Sequence, residues 1–261
     1  MSPRHRLAAV AMTATACLWP AAYAWGSDHT NLEEGLPVEI ADAYPIPYLG
    51  REVQGRLAYR VTPDAEHQVS VEPRFELGFP RNAQISVKVP LIAALSTRAD
   101  DDFYLGRVGL EAMYNVNQET LSLPAFALAA GVEAPDTRDG GNFDPFGRLF
   151  ITKTIPNTMR WQRLHLNGLL QGNVGREPRE RALRYLVAVG YDLRLSATFV
   201  GVVDVFREQP IEDSSPSNIG EVGFRVQVTP LVTLALGGGA GVSDSGRVVA
   251  RAAAAFQWFA F

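Results

Sequence analysis

Thiol or imidazole chemistry in this 261-residue chain would have to be built from four histidines and a single cysteine. His5 and Cys17 fall before Pro20, which leaves His29, His67 and His165, no two of them at the short spacing a zinc site uses. There is no G-x-S-x-G nucleophile elbow and no phosphate-binding P-loop. Gly237-Gly238-Gly239-Ala240-Gly241 follows an apolar stretch and opens no helix, so it reads as a strand end and loop of small residues. A hydrolase made of Ser, His and an acid would centre on His165, which is in phase with Arg163 and Asn167. A lone histidine in such a row more often fills a hydrogen bond than acts as a base. His67 reads as a solvated strand-end residue. The expectation is a protein without catalytic residues, metal or cofactor.

The residues that carry a signal are charged and recur at every second position. Arg56 and Arg60, then Glu72, Arg74 and Glu76, then Lys88, Arg107 and Glu111, share a face opposite to apolar neighbours. Arg184, Asp204, Glu221 and Arg225 continue the pattern, and His165 joins it. If the apolar face meets lipid, all of these point into a lumen as pore-lining residues. An Arg or Lys turned to the lipid midplane would cost about 2–4 kcal/mol, so the phase is strongly specified. Seven of the charged residues are basic and five acidic, so the lumen is mixed rather than a single-sign filter. Glu72, Arg74 and Glu76 are expected to pair with Arg56 and Arg60 on the preceding strand. Two jobs are open to such rows. They can stiffen a filled lumen, since unpaired buried charges are costly, or line a wet path and set solute preference.

Strands must position them. Val53, Gly55, Leu57, Tyr59 and Val61 alternate with Gln54, Arg56, Ala58 and Arg60, and the same period of two recurs through Phe261. The pattern predicts about twelve strands in an antiparallel up-and-down β-barrel that spans a membrane. A soluble sandwich would also alternate, but these segments are longer than usual soluble strands. Connections also alternate in length. Short turns are expected near Pro80–Asn82, Asn115–Glu119, Asp192–Arg194 and Thr229–Pro230, with longer polar loops between them. Segments Leu121–Ala134 and Phe146–Ile155 are strand-like but ambiguous in phase.

The N-terminus predicts export. Arg4, His5 and Arg6 precede the apolar run Leu7–Trp19, and Ala22-Tyr23-Ala24 supplies a cleavage site, so residues 1–24 read as a signal peptide. Cys17 leaves with it, and the mature chain has no thiol for a disulfide. Net charge is −4 without a basic block, which argues against nucleic acid as a partner. The closing Phe256-Gln257-Trp258-Phe259-Ala260-Phe261 is similar to the C-terminal signal of bacterial outer-membrane barrels, which implies delivery by the barrel-assembly machinery through Phe261. Outer-membrane lipid and a small-molecule solute are then the expected partners, in a Gram-negative bacterium. Residues 25–50 read either as a plug in the barrel mouth or as a loose periplasmic leader, ahead of a barrel from 51 to 261.

Asn31-Leu32-Glu33-Glu34-Gly35-Leu36-Pro37 and Ala41-Asp42-Ala43-Tyr44-Pro45-Ile46 resemble the opening of the outer-membrane proteins named for the meta-pathway of phenol degradation. Glu72–Phe79, Ile85–Pro90 and Val203–Gln209 resemble the same family. The resemblance implies an outer-membrane barrel and a passage for small molecules, with aromatic or apolar compounds as candidates. It brings no catalytic motif.

Overall fold

A computed structural model of the chain describes residues 30–61, 66–96, 102–137, 141–156, 158–175, 180–209, 215–242 and 250–260. The signal peptide, His29 and Phe261 lie outside the described residues. Every regular element among the described residues is a strand. β1 (Arg51–Val61), β2 (Glu66–Leu77), β3 (Ala83–Lys88), β4 (Leu91–Ser96), β5 (Asp102–Leu105), β6 (Gly109–Asn117) and β7 (Ala125–Glu133) make up the first half. β8 (Asp144–Thr154), β9 (Gln162–Gly172), β10 (Leu183–Arg194), β11 (Phe199–Glu208), β12 (Ser217–Thr229), β13 (Val232–Gly241) and β14 (Ala250–Ala260) complete it.

All strands join one antiparallel sheet. It closes on itself because β1 pairs with β2 along one edge and with β14 along the other, from Arg51↔Ala260 to Val61↔Ala250. Closure leaves no unpaired edge, the condition for a sheet to stand in hydrocarbon. β3 and β4 lie end to end against β2, and β5 and β6 lie end to end beside them, so fourteen segments make a twelve-strand barrel. The two breaks have a local cause. Pro90 has no N–H to give the ladder, and the chain bends there and again at 106–108. Val89 N–H still donates to the Pro73 carbonyl at 3.0 Å, and Gly106 N–H to the Pro90 carbonyl at 2.8 Å.

The expected third strand therefore runs on past Leu91 to Ser96, and the fourth starts above Arg107 with a kink. Two turns also move. Asn115, Asn117, Asp192 and Arg194 belong to strands, and the short connections fall at 118–124 and 195–198, with a further one at 155–161. Strand β7 begins at Ala125 rather than Leu121, whose side chain is exposed in the turn.

The outer face is apolar. Leu57, Phe75, Leu110, Leu128, Leu164, Val203, Phe224 and Trp258 are all exposed on it. Among the described residues the apolar core lies in the interior, and residues 30–46 build about a third of it. Leu32, Val38 and Ile40 pack on Ala188, Val200, Val202, Phe206 and Ile219, while Ala41 and Ala43 pack on Met113, Ala125, Ala127 and Phe150. The inward apolar residues of the wall gather where they pack on this inner segment. Gly190 shows how closely it approaches, since a Cβ there would sit 2.3 Å from the Ile40 side chain.

Val203 stands on the outer face near the middle of β11, between Tyr191 and Val222. Val203→Arg should lower stability in lipid vesicles by about 2–4 kcal/mol in denaturant titrations.

Candidate functional site

The inner segment bonds its own backbone at its turn, with Gly35 N–H donating to Val38 and Leu36 N–H to Glu33, and where Asp42 N–H donates to Leu32; its other buried N–H and C=O groups need partners elsewhere. The wall supplies them as side chains. Glu39 N–H donates to Glu221 at 2.9 Å and Ile40 N–H to Asp204 at 3.0 Å. Asn167 clasps Ala41 from both sides, accepting from its N–H at 2.7 Å and donating to its carbonyl at 2.9 Å. Ala43 N–H donates to the Thr152 hydroxyl at 3.0 Å, Asn115 donates to the Ala43 carbonyl at 2.7 Å, and Ile46 N–H donates to Gln84 at 2.8 Å. These partners come from β12, β11, β9, β8, β6 and β3, so the segment is tied around much of the barrel. Asp204 and Glu221, predicted as pore-lining, serve here as acceptors for the segment's backbone.

Charges on the segment meet charges on the wall. Arg163 bridges Asp42 at 2.8 Å and Asp192 at 2.7 Å, donates to the Thr30 carbonyl, and lies 4.2 Å over the Trp161 ring. Arg148 joins Glu34 to Glu111, the latter at 3.1 Å. Arg251 joins Glu39 at 2.9 Å to Glu221 at 2.5 Å. Arg225, fully buried, donates to the Leu36 carbonyl at 3.1 Å and to Gln257. Lys88 pairs with Glu133 at 2.7 Å, and Arg107 reaches both Glu133 at 3.5 Å and Asp144.

All the predicted luminal charges point inward. The expected pairing between β1 and β2 does not form, however. Arg56 stands opposite Glu72, but Glu72 accepts from Arg74 on its own strand at 3.1 Å, and Arg60 stands opposite Gln68. Sequence reasoning missed Glu133, Asp144, Arg148, Asp192 and Arg251, and the segment's own Glu33, Glu34, Glu39 and Asp42. Asp192 was hidden by its assignment to a turn, and Arg148 by the uncertain phase of its strand.

His165 meets a hydroxyl and an acid, with Thr152 Oγ1 3.2 Å from Nδ1 and Asp192 Oδ1 3.5 Å from Nε2. That is the order of a catalytic triad, but its surroundings differ. Thr152 is wholly buried and its oxygen already accepts from Ala43, while Asp192 is held by Arg163. The trio fastens the segment to β8, β9 and β10. His67, on the outer surface, stacks on Tyr59 with Nδ1 2.5 Å from its hydroxyl.

Three buried carboxylates, Glu33, Glu52 and Glu76, bring oxygens within 4.8 Å of one another. Hard cations use such oxygen sets. Gln54 turns its amide N–H₂ to Glu33 and, at 2.9 Å, to Glu52, and Gln257 donates to Glu33 at 3.2 Å. Amide donors thus already bond two of the three carboxylates.

At the end of the barrel that carries the longer loops, a cavity of about 190 Å³ lies over the inner segment, walled by six basic and four acidic side chains. Toward the opposite end the Tyr44 hydroxyl donates to Glu119, in the 118–124 connection, at 3.2 Å. Burial raises the Glu119 carboxyl, but hydrogen bonds from Lys153 and Thr154 outweigh it and hold the group below the usual glutamate range.

No family model matches the chain, and no curated protein matches it. Solved structures do. The chain is similar to the COG4313 outer membrane channel from Pseudomonas putida F1, with a TM-score of 0.67 at 9% identity over 85% of this chain and 100% of that one. The NanC porin follows at 0.55 and 8% identity, over 80% of this chain and 100% of that one. The KdgM porin gives 0.50 and 9% identity, over 80% and 99%. At such identities the likeness carries the fold, an outer-membrane type of twelve-strand barrel.

Arg163→Ala would strand two buried carboxylates and should cost about 3–5 kcal/mol in denaturant titrations, with earlier proteolytic cleavage of residues 30–48. Glu119 contributes stability that is complete at neutral pH, fades below about pH 4 and is lost as pH falls through its lowered pKa. Glu119→Gln should therefore flatten the acid limb of the stability profile, read by tryptophan fluorescence.

Proposed function

We propose that this chain is an outer-membrane channel for the passive passage of small molecules, with residues 25–50 as its plug. In this reading residues 1–24 are a signal peptide, residues 51–261 form the barrel, and assembly proceeds through the outer-membrane barrel machinery. The observation that carries the proposal is the inner face. A barrel with only a scaffolding role needs no polar chamber, whereas here about 190 Å³ is walled by charged side chains above a segment anchored largely by hydrogen bonds and ion pairs. Polar anchors of this kind are ones that water can replace if the segment shifts. The relatives in fold are titled a channel and porins, which supports the reading. The aromatic or apolar character of the solute rests on the sequence resemblance to the phenol meta-pathway family. Arg56, Arg60, Arg74, Lys88 and Arg184 are the pore-lining residues this proposal assigns at the long-loop end, and no residue is assigned a catalytic role.

The test is single-channel recording in planar bilayers, with heat-modifiable gel migration as the control for a formed barrel. The full mature chain should give small discrete steps, and deletion of residues 30–48 should raise their conductance severalfold. A folded deletion variant that stays silent would overturn the channel reading and leave a sealed barrel.

A further inference from the structure

The chamber at the long-loop end does not have a balanced wall. Its four acids each have a base within reach. Glu34 is bound by Arg148, Glu39 by Arg251 at 2.9 Å, Glu72 by Arg74 at 3.1 Å, and Glu208 lies 4.0 Å from Arg184. Lys88, also in the wall, is taken by Glu133 at 2.7 Å. Arg56 and Arg60 are left over. Neither makes an ion pair within 4.0 Å among the described residues, and Arg56 Nε is buried without a hydrogen-bond partner. They are four residues apart on β1, with Ala58 between them, and project from the same face.

The inner segment holds Arg56 in place. Its turn at 33–38 passes beneath the guanidinium through Gly35, which has φ of +75° and where a Cβ would come within 2.9 Å of Arg56 Cζ. Only glycine combines that backbone with that approach. Two guanidinium groups without ion-pair partners lining one confined space are costly without an anion, and the planar fork of each matches a carboxylate.

The far side of the chamber is different. Leu169 and Leu186 line it, from β9 and β10, which stand half-way round the twelve-strand ring from β1. The two arginines therefore face two leucines and Tyr185, with Arg184 beside them, across a space of about 190 Å³. That is small beside pockets that take drug-sized ligands, commonly about 300–1,000 Å³.

We infer that this chamber is a binding site for a small carboxylate with a compact apolar body, its carboxylate on Arg56 and Arg60 and its body against Leu169 and Leu186. The inference names a solute class for the channel proposed above and rests on that reading for its role in uptake. Binding itself requires only the chamber.

The test is isothermal titration of the refolded mature chain with benzoate, with benzyl alcohol as the neutral isostere and inorganic phosphate as the anion without an apolar body. Benzoate should bind saturably, at least tenfold tighter than either, and weaken as salt rises. The double variant Arg56→Gln, Arg60→Gln should weaken benzoate tenfold or more, with heat-modifiable migration retained. Benzoate and benzyl alcohol binding alike on the unmodified chain would overturn the inference without recourse to any variant. So would phosphate matching benzoate, or benzoate binding unchanged by the double variant. Saturable benzoate binding in a barrel that never conducts would sink the channel reading alone. Conductance with no selective benzoate binding would sink this inference alone.

Discussion

Every peptide group shut away from water must find a partner, and this requirement organises the molecule at two radii. In the wall the closed ladder meets it, with β1 joined to both β2 and β14 so that no edge faces hydrocarbon. Along the axis an extended segment has no neighbour strand, and side chains of the wall take the place of a ladder. Asn167 does for Ala41 what an adjacent strand would do, giving one donor and one acceptor. Much of the charge that looks like a pore lining is explained by this second task.

The wall was largely legible in the sequence. Period-two alternation with charges on one face and lipid-compatible residues on the other leaves one phase for most strands, and the strand number followed from it. Where the reading slipped, the inner segment is the reason. Phe146 and Phe150 face inward from β8, Ala125, Ala127 and Ala129 from β7, and Val200, Val202 and Phe206 from β11, because an apolar object occupies the lumen beside them. On such strands both faces are apolar, and alternation loses its contrast. The displaced turns have a related cause. Asn115 and Asp192 look like turn formers, yet each is an inward strand residue bonded to the segment or to the arginine that holds it.

The charge pairs could not be read from neighbouring strands because they are not made there. Cross-strand reasoning set Glu72, Arg74 and Glu76 against Arg56 and Arg60, whereas in the structure Glu72 pairs with Arg74 and several wall arginines are joined to a third party in the middle. Arg148, Arg163 and Arg251 each tie a carboxylate of the wall to one of the segment. Those contacts depend on a segment whose path alternation does not report. The surplus of Arg56 and Arg60 emerges only once the other pairs are assigned, which makes it a property of the assembled lumen.

Gln257, on the last strand, donates to Glu33 across a sequence separation of 224 residues, and Arg225 reaches back to the Leu36 carbonyl over 189. Contacts so remote along the chain close only after nearly all of it has been placed. The segment that emerges first must therefore wait for the strand that emerges last, and its docking becomes a late event that registers whether the ring has closed. The inner segment is, in this sense, an inspection of the finished wall: a barrel with a strand missing or out of register offers it too few partners to stay.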